Sequence, residues 1–166
     1  MCGYVWGKSN LRIELPIRNQ KERQTYYGAL DAHTQEFIVQ EYSAGNGGNT
    51  VAFIEHLQQQ RPTQRLVLIW DGASYHKSEE MKEFLAAANV GKDAVQWQVR
   101  CILLAPNAPE QNPVEDVWLQ AKNFIRKYWL LCKSFSIAKW LFKFFTNHQR
   151  FNFPKLEQYT RRLSPI

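Results

Sequence analysis

The stretch "LVLIWDGASYHKS", residues 66–78, places five apolar residues in a row directly before Asp71. Such a run predicts a strand that is apolar on both faces, as in a central parallel strand covered by helices. A carboxylate at the end of a buried strand is costly to desolvate unless a partner compensates its charge. Asp and Gly are also common in ordinary turns. Taken alone, the Asp71-Gly72 pair is better explained as the start of a turn than as a functional site.

The segments before this stretch predict further strands and a helix. Residues 11–17, LRIELPI, alternate between apolar and polar side chains like a half-buried strand. "RQTYYGAL" and "EFIVQEY" predict a β-hairpin. The run "SAGNGGN" predicts a flexible loop, and Asn49 or Thr50 is the predicted N-cap of the helix that follows it.

The segments after it continue the alternation of helices and strands. "SEEMKEFLAAANV" predicts a helix capped by Ser78, and "WQVRCILL", residues 97–104, predicts a strand. Two amphipathic helices follow, "VEDVWLQAKNFIRKYW" and "SIAKWLFKFFTNH", with Trp129 and Trp140 expected in the core. This order predicts an α/β layered fold with a mixed sheet, and residues 1–166 are expected to form a single domain.

Composition restricts the class of protein. Lys and Arg number 21 against 15 Asp and Glu, which gives a formal net charge of +6 and favours an anionic partner such as nucleic acid. Three cysteines without C-x-x-C spacing suggest neither a disulfide framework nor a zinc site. The sequence has no pattern typical of a signal peptide or membrane span, so we expect a soluble cytoplasmic protein with no membrane partner.

A second acid strengthens the case for a site at Asp71. The strand at residues 97–104 leads into a loop and then to Pro113 and Glu115 at the start of a helix. Taken alone, Glu115 is explained by the helix dipole, which favours a carboxylate there. Two acids that leave neighbouring strands at one sheet edge are predicted to share a divalent cation, Mg²⁺ or Mn²⁺.

The helix after Glu115 begins a strongly basic region. Lys122 and Arg126 fall on the same helical side as Glu115, and no Asp or Glu occurs from Val117 to Leu156. A charge run is usually a solvated face, but cations of one sign beside a metal site suit a polyphosphate backbone better. The predicted DNA-binding cations are Lys122, Arg126, Lys127, Lys133, Lys139 and Lys143.

Two of these segments resemble a known family. "LVLIWDGASYHKS" resembles the segment around the second catalytic acid of DDE transposases, in particular the bacterial insertion-sequence group related to mariner elements. "ILLAPNAPEQNPVEDVWLQAKNFIRK" is similar to the segment around the last catalytic acid of that group. "RQTYYGALDAHTQEF" and the Trp6-Gly7 region also resemble the family, so the likeness covers most of the chain.

The resemblance implies a fold and a chemistry. The family has an RNase H-like, retroviral integrase-like fold and cleaves and joins DNA strands by two-metal phosphoryl transfer. Carried over, Asp71 and Glu115 become catalytic metal ligands for Mg²⁺ or Mn²⁺. By the same resemblance, the residues that shape the two motifs around these acids are Gly72, His76, Asn112 and Pro113. Lys122 matches a basic position on the helix that follows the last acid in the family. The implied partner is double-stranded DNA, at the ends of the mobile element and at its target, which implies nucleoid association.

The sequence departs from the family at its N-terminal side. The strand that carries the first catalytic acid is expected before Trp6 and is not found there, and Glu14 and Asp31 do not match its position. The helix-turn-helix region of the family is not found either. A sheet without its central strand leaves two edges exposed, so we expect rearranged pairing, a strand from another copy, or marginal stability.

Three hypotheses follow. The chain is a truncated transposase catalytic domain with impaired activity when alone, which a homodimer or a complementing transposase fragment could restore. Alternatively, it is a non-catalytic remnant that binds DNA or a partner transposase. The third and weakest reading is an ordinary α/β domain in which the acid pair is coincidental.

Overall fold

The computed structural model describes residues 21–106, 111–147, 149–154, 156 and 157. The predicted strand at residues 11–17 and the Trp6-Gly7 region lie outside these residues. The described elements are, in chain order, β1 (Thr25–Leu30), β2 (Phe37–Tyr42), α1 (Gly47–Gln60), β3 (Leu66–Trp70), α2 (Glu79–Ala88), β4 (Val99–Leu103), α3 (Pro113–Lys127) and α4 (Phe135–Thr146). The chain is therefore a mixed α/β protein, as its patterns predict.

The strands form two separate pairs. β1 and β2 make the predicted antiparallel hairpin, with Leu30 opposite Phe37. β3 and β4 are parallel, with Leu66 opposite Val99. Among the described residues the sheets have two strands each, in place of the single mixed sheet that the sequence predicts.

Helices α1 and α2 cover one side of both strand pairs. Ile38, Phe53 and Leu57 form one buried cluster between the hairpin and α1. Ile54, Met81 and Val99 form a second cluster between the two helices and the parallel pair. The even-numbered residues of β3 pack against these clusters, so this face of β3 is the one that α1 and α2 bury.

Helices α3 and α4 lie on the other side of the hairpin. The Trp118 ring meets Phe37 edge to face, with centroids 5.1 Å apart, and lies against Gly28. The ring of Phe142 on α4 stacks on Trp118 at 5.8 Å and reaches Tyr26 on β1 at 4.2 Å. These aromatic contacts set the position of α3 relative to β1.

Several boundaries differ from the sequence prediction. Helix α1 begins at Gly47, and Asn46, not Asn49 or Thr50, is its N-cap, with a side chain that accepts from the Asn49 N–H at 2.8 Å. Two glycines of the predicted flexible loop therefore belong to the helix. A Cβ at Gly47 would collide with Ser78 and lie 2.6 Å from Glu80 Oε2, so a larger residue here would force these two side chains to move.

Burial also departs from prediction. Val67, expected to be buried in a central strand, is 57% exposed because α1 and α2 cover only the other face of β3. Trp129 and Trp140, expected in the core, are 47% and 61% exposed. None of the helices in the described ranges is long and apolar enough to cross a membrane.

Candidate active site

Asp71 lies immediately after β3 and starts the predicted turn. Its Oδ1 accepts a hydrogen bond from the Ala73 N–H at 3.0 Å, and its side chain is 61% exposed. Alternation along β3 turns Trp70 toward α2 and Asp71 toward the opposite side, where α3 lies. Gly72 has open surroundings, since a Cβ there would meet no atom within 4 Å. The turn therefore leaves the carboxylate accessible to a ligand.

His76 packs directly behind Asp71. Its ring stacks on Trp70 with centroids 4.1 Å apart, and its Nε2 lies 3.4 Å from Asp71 Oδ1. Burial lowers the pKa of His76, and the opposing effect of the Asp71 charge is smaller. The neutral ring is therefore favoured, and the contact with Asp71 suits the tautomer that carries its proton on Nε2.

Glu115 lies in the first turn of α3. Pro113 opens the helix, as predicted, and the side chain of Asn112 caps it by accepting from the Val114 N–H at 3.1 Å. Glu115 is exposed, and its N–H donates to the Asn112 carbonyl at 3.1 Å. Glu115 therefore lies at the N-terminal end of α3, a position where acidic residues are common in helices.

Both acids line the same cleft. This cleft, of about 590 Å³, lies between β1 and β3, and its wall includes Asp71, His76, Asn112 and Glu115. Tyr75 also lines it, and its ring lies 6.2 Å from that of Tyr27. Tyr75 was not predicted, and its only signal in the sequence is its place between Asp71 and His76.

The cleft offers ligands of the right kind for a divalent cation, but few of them. Exposed carboxylates are the oxygen ligands that Mg²⁺ and Mn²⁺ prefer. Among the residues that the structure describes, however, no group of three His, Cys, Asp or Glu side chains could hold a metal ion. Asp71 and Glu115 would thus supply two protein ligands, and the remaining positions would need water, substrate or a further carboxylate.

The basic region divides into two groups. Lys139 and Lys143 both reach Glu41 on β2, with Nζ–O distances of 2.9 and 2.6 Å. These two lysines therefore have a counter-charge, although the local sequence from Val117 to Leu156 contains no acid. Glu41 lies far before these two lysines in the sequence, so a count of charges within the basic region could not reveal the pairing.

The other four predicted cations are exposed. Within the described ranges, no acidic group lies within ion-pairing distance of Lys122, Arg126, Lys127 or Lys133. Arg126 Nη1 donates to Asn123 Oδ1 at 3.0 Å, and Lys127 Nζ lies 5.6 Å from the centre of the Tyr128 ring. Three of the four lie on α3, the helix that begins beside Glu115.

Comparison with known proteins identifies the family. A search of curated proteins found no match. The family model described as "DDE superfamily endonuclease" matches residues 2–134, a range that contains Asp71, His76 and Glu115 and ends just before α4. Because this match covers well over half of the sequence, the chain belongs to the DDE superfamily of endonucleases.

Proposed function

We propose that this chain is the catalytic part of a transposase from the mariner-related insertion-sequence group, which cleaves and joins DNA strands. The observation that carries the proposal is that Asp71 and Glu115 line one cleft although a helix and a strand separate them in sequence. The family match supports a nuclease acting on DNA. An RNase H-like layering, with helices on both sides of a mixed sheet, fits the positions of α1 and α3.

Asp71 and Glu115 would hold the metal through their carboxylate oxygens. A bound Mg²⁺ or Mn²⁺ would supply Lewis-acid polarisation of the scissile phosphate and would activate a water or a DNA 3′-hydroxyl. His76, neutral and stacked on Trp70, would orient the Asp71 carboxylate through its Nε2. Asn112 and Pro113 would hold the start of α3, and with it Glu115, at the cleft wall.

The cations of α3 provide a surface for the DNA backbone. Lys122, Arg126 and Lys127 follow Glu115 on the same helix and are exposed. Lys133 extends the positive surface past the end of α3, whereas Glu41 partly neutralises Lys139 and Lys143. The bound duplex would be the end of the mobile element or its target, and such a role would associate the protein with the nucleoid.

We infer weak activity for the chain by itself. Two carboxylates bind a hard cation less tightly than three, and the described residues offer no third ligand. A second copy or a complementing transposase fragment that supplies a carboxylate at the cleft would raise both metal affinity and cleavage.

Metal binding tests this proposal directly. Mn²⁺ titrations, followed by the electron paramagnetic resonance of the free ion, should show binding that is lost in both Asp71→Asn and Glu115→Gln. Asp93→Asn is the matched control, because Asp93 precedes a short helical turn and its side chain caps nothing. Equal Mn²⁺ affinity in all four proteins would contradict the assignment of the two acids.

A nicking assay on DNA carrying element ends completes the test. We expect slow, metal-dependent nicking at most, reduced below detection by either acid substitution and unaffected by Asp93→Asn. Nicking that persists in both variants would rule out the proposed centre.

Within the part of the chain that the structure describes, no three-ligand group accompanies the two acids, and this favours a second candidate, a non-catalytic DNA-binding remnant. In that case salt-dependent DNA binding would persist in the Asp71→Asn/Glu115→Gln double variant while no protein in the series nicks DNA. Neutralising Lys122, Arg126 and Lys127 would weaken binding under both hypotheses, so the metal titration decides between them.

A further inference from the structure

The exposed aromatic rings of α3 and α4 form a continuous row. The ring centroid of Tyr128, just after α3, lies 4.8 Å from that of Phe124, which stacks on Phe144 of α4 at 6.3 Å. Phe144 in turn stacks on Trp140 at 5.3 Å. Ile137, about one helical turn before Trp140, is exposed as well. Together these five residues make an aromatic patch that joins the two helices.

The aromatic patch is larger than the surface that one exposed apolar side chain leaves in water. Phe144 and Trp140 are 62% and 61% exposed, and Tyr128 is 36% exposed. An aromatic side chain carries about 150–250 Å², so these three rings alone expose roughly 300 Å². Three further exposed apolar residues extend the patch along the turn between the helices: Trp129, Leu130 and Leu131. Contiguous apolar surface of about 300–600 Å² on a soluble protein often marks a binding site.

The contacts of α4 with the rest of the fold use its other sides. Phe142 lies against Trp118 and Tyr26, and Phe145 lies against Phe151. Among the described residues, no element covers the side of α4 that carries the aromatic patch. The family match ends at residue 134, so this side of α4 lies outside the matched range. The fold therefore leaves part of the apolar stripe of α4 without a use.

Cations without acidic partners border the aromatic patch. Lys127 Nζ lies 5.6 Å from the centre of the Tyr128 ring, and Lys133 follows the turn that leads to α4. Neither lysine has an acidic group within ion-pairing distance in the described ranges. The sequence contains no Asp or Glu from Val117 to Leu156. The patch therefore has a positive rim that lacks a counter-charge.

The aromatic patch and the proposed DNA-binding surface meet at Lys127. Consecutive residues of a helix are about 100° apart, which places Lys127 between Arg126 and Phe124 around α3. Arg126 lies on the side of Glu115, whereas Phe124 contacts α4. Duplex DNA meets a cationic surface mainly through its phosphates, which do not cover apolar rings. DNA binding therefore explains the cations but not the patch.

We propose that the aromatic patch binds an amphipathic helix of another protein, in which Asp or Glu flanks the apolar stripe. Ile137, Trp140 and Phe144 are three and four residues apart, the spacing with which one helix packs against another. Acidic side chains beside the stripe of the partner would pair with Lys127 and Lys133. A two-fold contact between copies of this chain would instead set these lysines against the same lysines, so charge favours a different protein.

Fluorescence anisotropy with synthetic peptides tests the proposal on the full chain. The assay contains neither metal nor DNA, so its result stands apart from the proposed function. The probe is a fluorescein-labelled peptide with leucines three and four residues apart and glutamate at most other positions. It should bind, and more weakly as salt rises. A peptide with lysine in place of glutamate, and one with serine in place of leucine, should each bind at least about tenfold more weakly.

Variants of the chain locate the binding site. Trp140→Ser and Phe144→Ser should each weaken binding of the glutamate peptide by about tenfold or more. Both side chains are more than half exposed, so the midpoint of urea unfolding should stay unchanged. Leu119→Ser, at an exposed position on another side of α3, should leave binding unchanged. Lys127→Glu/Lys133→Glu should reverse the preference in favour of the lysine peptide.

Failure of the glutamate peptide to bind, or equal affinity for the glutamate and lysine peptides, would overturn the proposal. Binding that persists in the Trp140→Ser/Phe144→Ser double variant would do the same. A dimer seen by light scattering and lost in this double variant would overturn it in favour of self-association. Phosphatidylglycerol vesicles or single-stranded oligothymidine that bind through the same residues, when the peptide does not, would assign the patch to lipid or nucleic acid instead.

Discussion

Glu41 on β2 binds Lys143 on α4, with Oε1 and Nζ 2.6 Å apart. Its other oxygen lies 2.9 Å from Lys139 Nζ, so one carboxylate holds two successive turns of the helix. This contact attaches α4 to the hairpin, and the aromatic pair Tyr26 and Phe142 packs beside it. Part of the positive charge in the C-terminal half therefore serves the fold.

Glu41→Gln should make the stability of the protein less dependent on acid pH. Hydrogen bonds from Lys143 and then Lys139 lower the pKa of Glu41 from its ordinary value of 4.5. The stabilisation is therefore complete above that value and is lost as the pH falls through the lower folded-state pKa. We expect a loss of about 1 kcal/mol at pH 7 that disappears in acid, measured by urea unfolding at several pH values.

The control for this prediction is Glu79→Gln. Glu79 pairs with Lys82 on the exposed face of α2, and both side chains are more than half exposed. A change at pH 7 as large as that of Glu41→Gln would contradict the role assigned to Glu41.

Gly28→Ala should destabilise the contact between β1 and α3. A Cβ at this position would collide with the Phe37 ring and lie 2.7 Å from the Trp118 ring, which are both packed. Overpacking of this kind costs about 1–3 kcal/mol, measurable by thermal or urea unfolding. Gly72→Ala, where the new methyl group meets nothing within 4 Å, should cost little, and equal losses would refute the packing argument.

Tyr26→Phe should leave stability unchanged or raise it slightly. Burial, followed by the nearby Glu41 charge, raises the pKa of Tyr26 to about 12. Its hydroxyl is buried and has no hydrogen-bond partner among the described residues. Removing an unpaired buried hydroxyl removes its desolvation cost.

Tyr27→Phe is the matched comparison. The Tyr27 hydroxyl lies 3.1 Å from Thr50 Oγ1 and accepts from the Asn46 N–H at 3.1 Å, beside the start of α1. We expect a loss of about 1 kcal/mol in urea unfolding. A larger loss for Tyr26→Phe than for Tyr27→Phe would show that Tyr26 has a partner.

Replacing Lys122, Arg126 and Lys127 together by Gln should weaken DNA binding and flatten its salt dependence. Each phosphate contact contributes about 0.9 to the slope of log K against log salt concentration, so the slope should fall by up to about 3. Fluorescence anisotropy on duplex DNA at several salt concentrations measures it. Lys82→Gln/Lys92→Gln, on α2 and just after it, is the control, and an equal fall per charge removed would show that only total charge matters.

Local patterns predicted most elements because they depend on residues a few positions apart. The run from Leu66 to Trp70 forms β3, and Ser78 caps α2 with a side chain that accepts from the Met81 N–H. Pro113 and Asn112 begin α3, as the loop sequence indicates. The start of α1 was missed because the helix is capped by Asn46 and opens on two glycines, which local propensity assigns to a loop.

Burial and pairing were predicted less well. Periodicity shows that a helix has an apolar stripe, but it cannot show whether another element covers that stripe, so Trp140 was expected in the core and is exposed. The pairing of Glu41 with Lys143 joins distant parts of the chain, and no local charge count reveals it.

The amino-acid sequence by itself determined the order of strands and helices, with Asp71 at the end of a strand and Glu115 at the start of a helix. It also determined the likeness to the endonuclease family, which the family model confirms. Only the tertiary structure decided that both acids line one cleft between β1 and β3 and that two lysines are neutralised. Hydrogen bonding and side-chain periodicity within an element act over a few residues. Which elements meet is instead settled by the packing of apolar faces from distant parts of the chain.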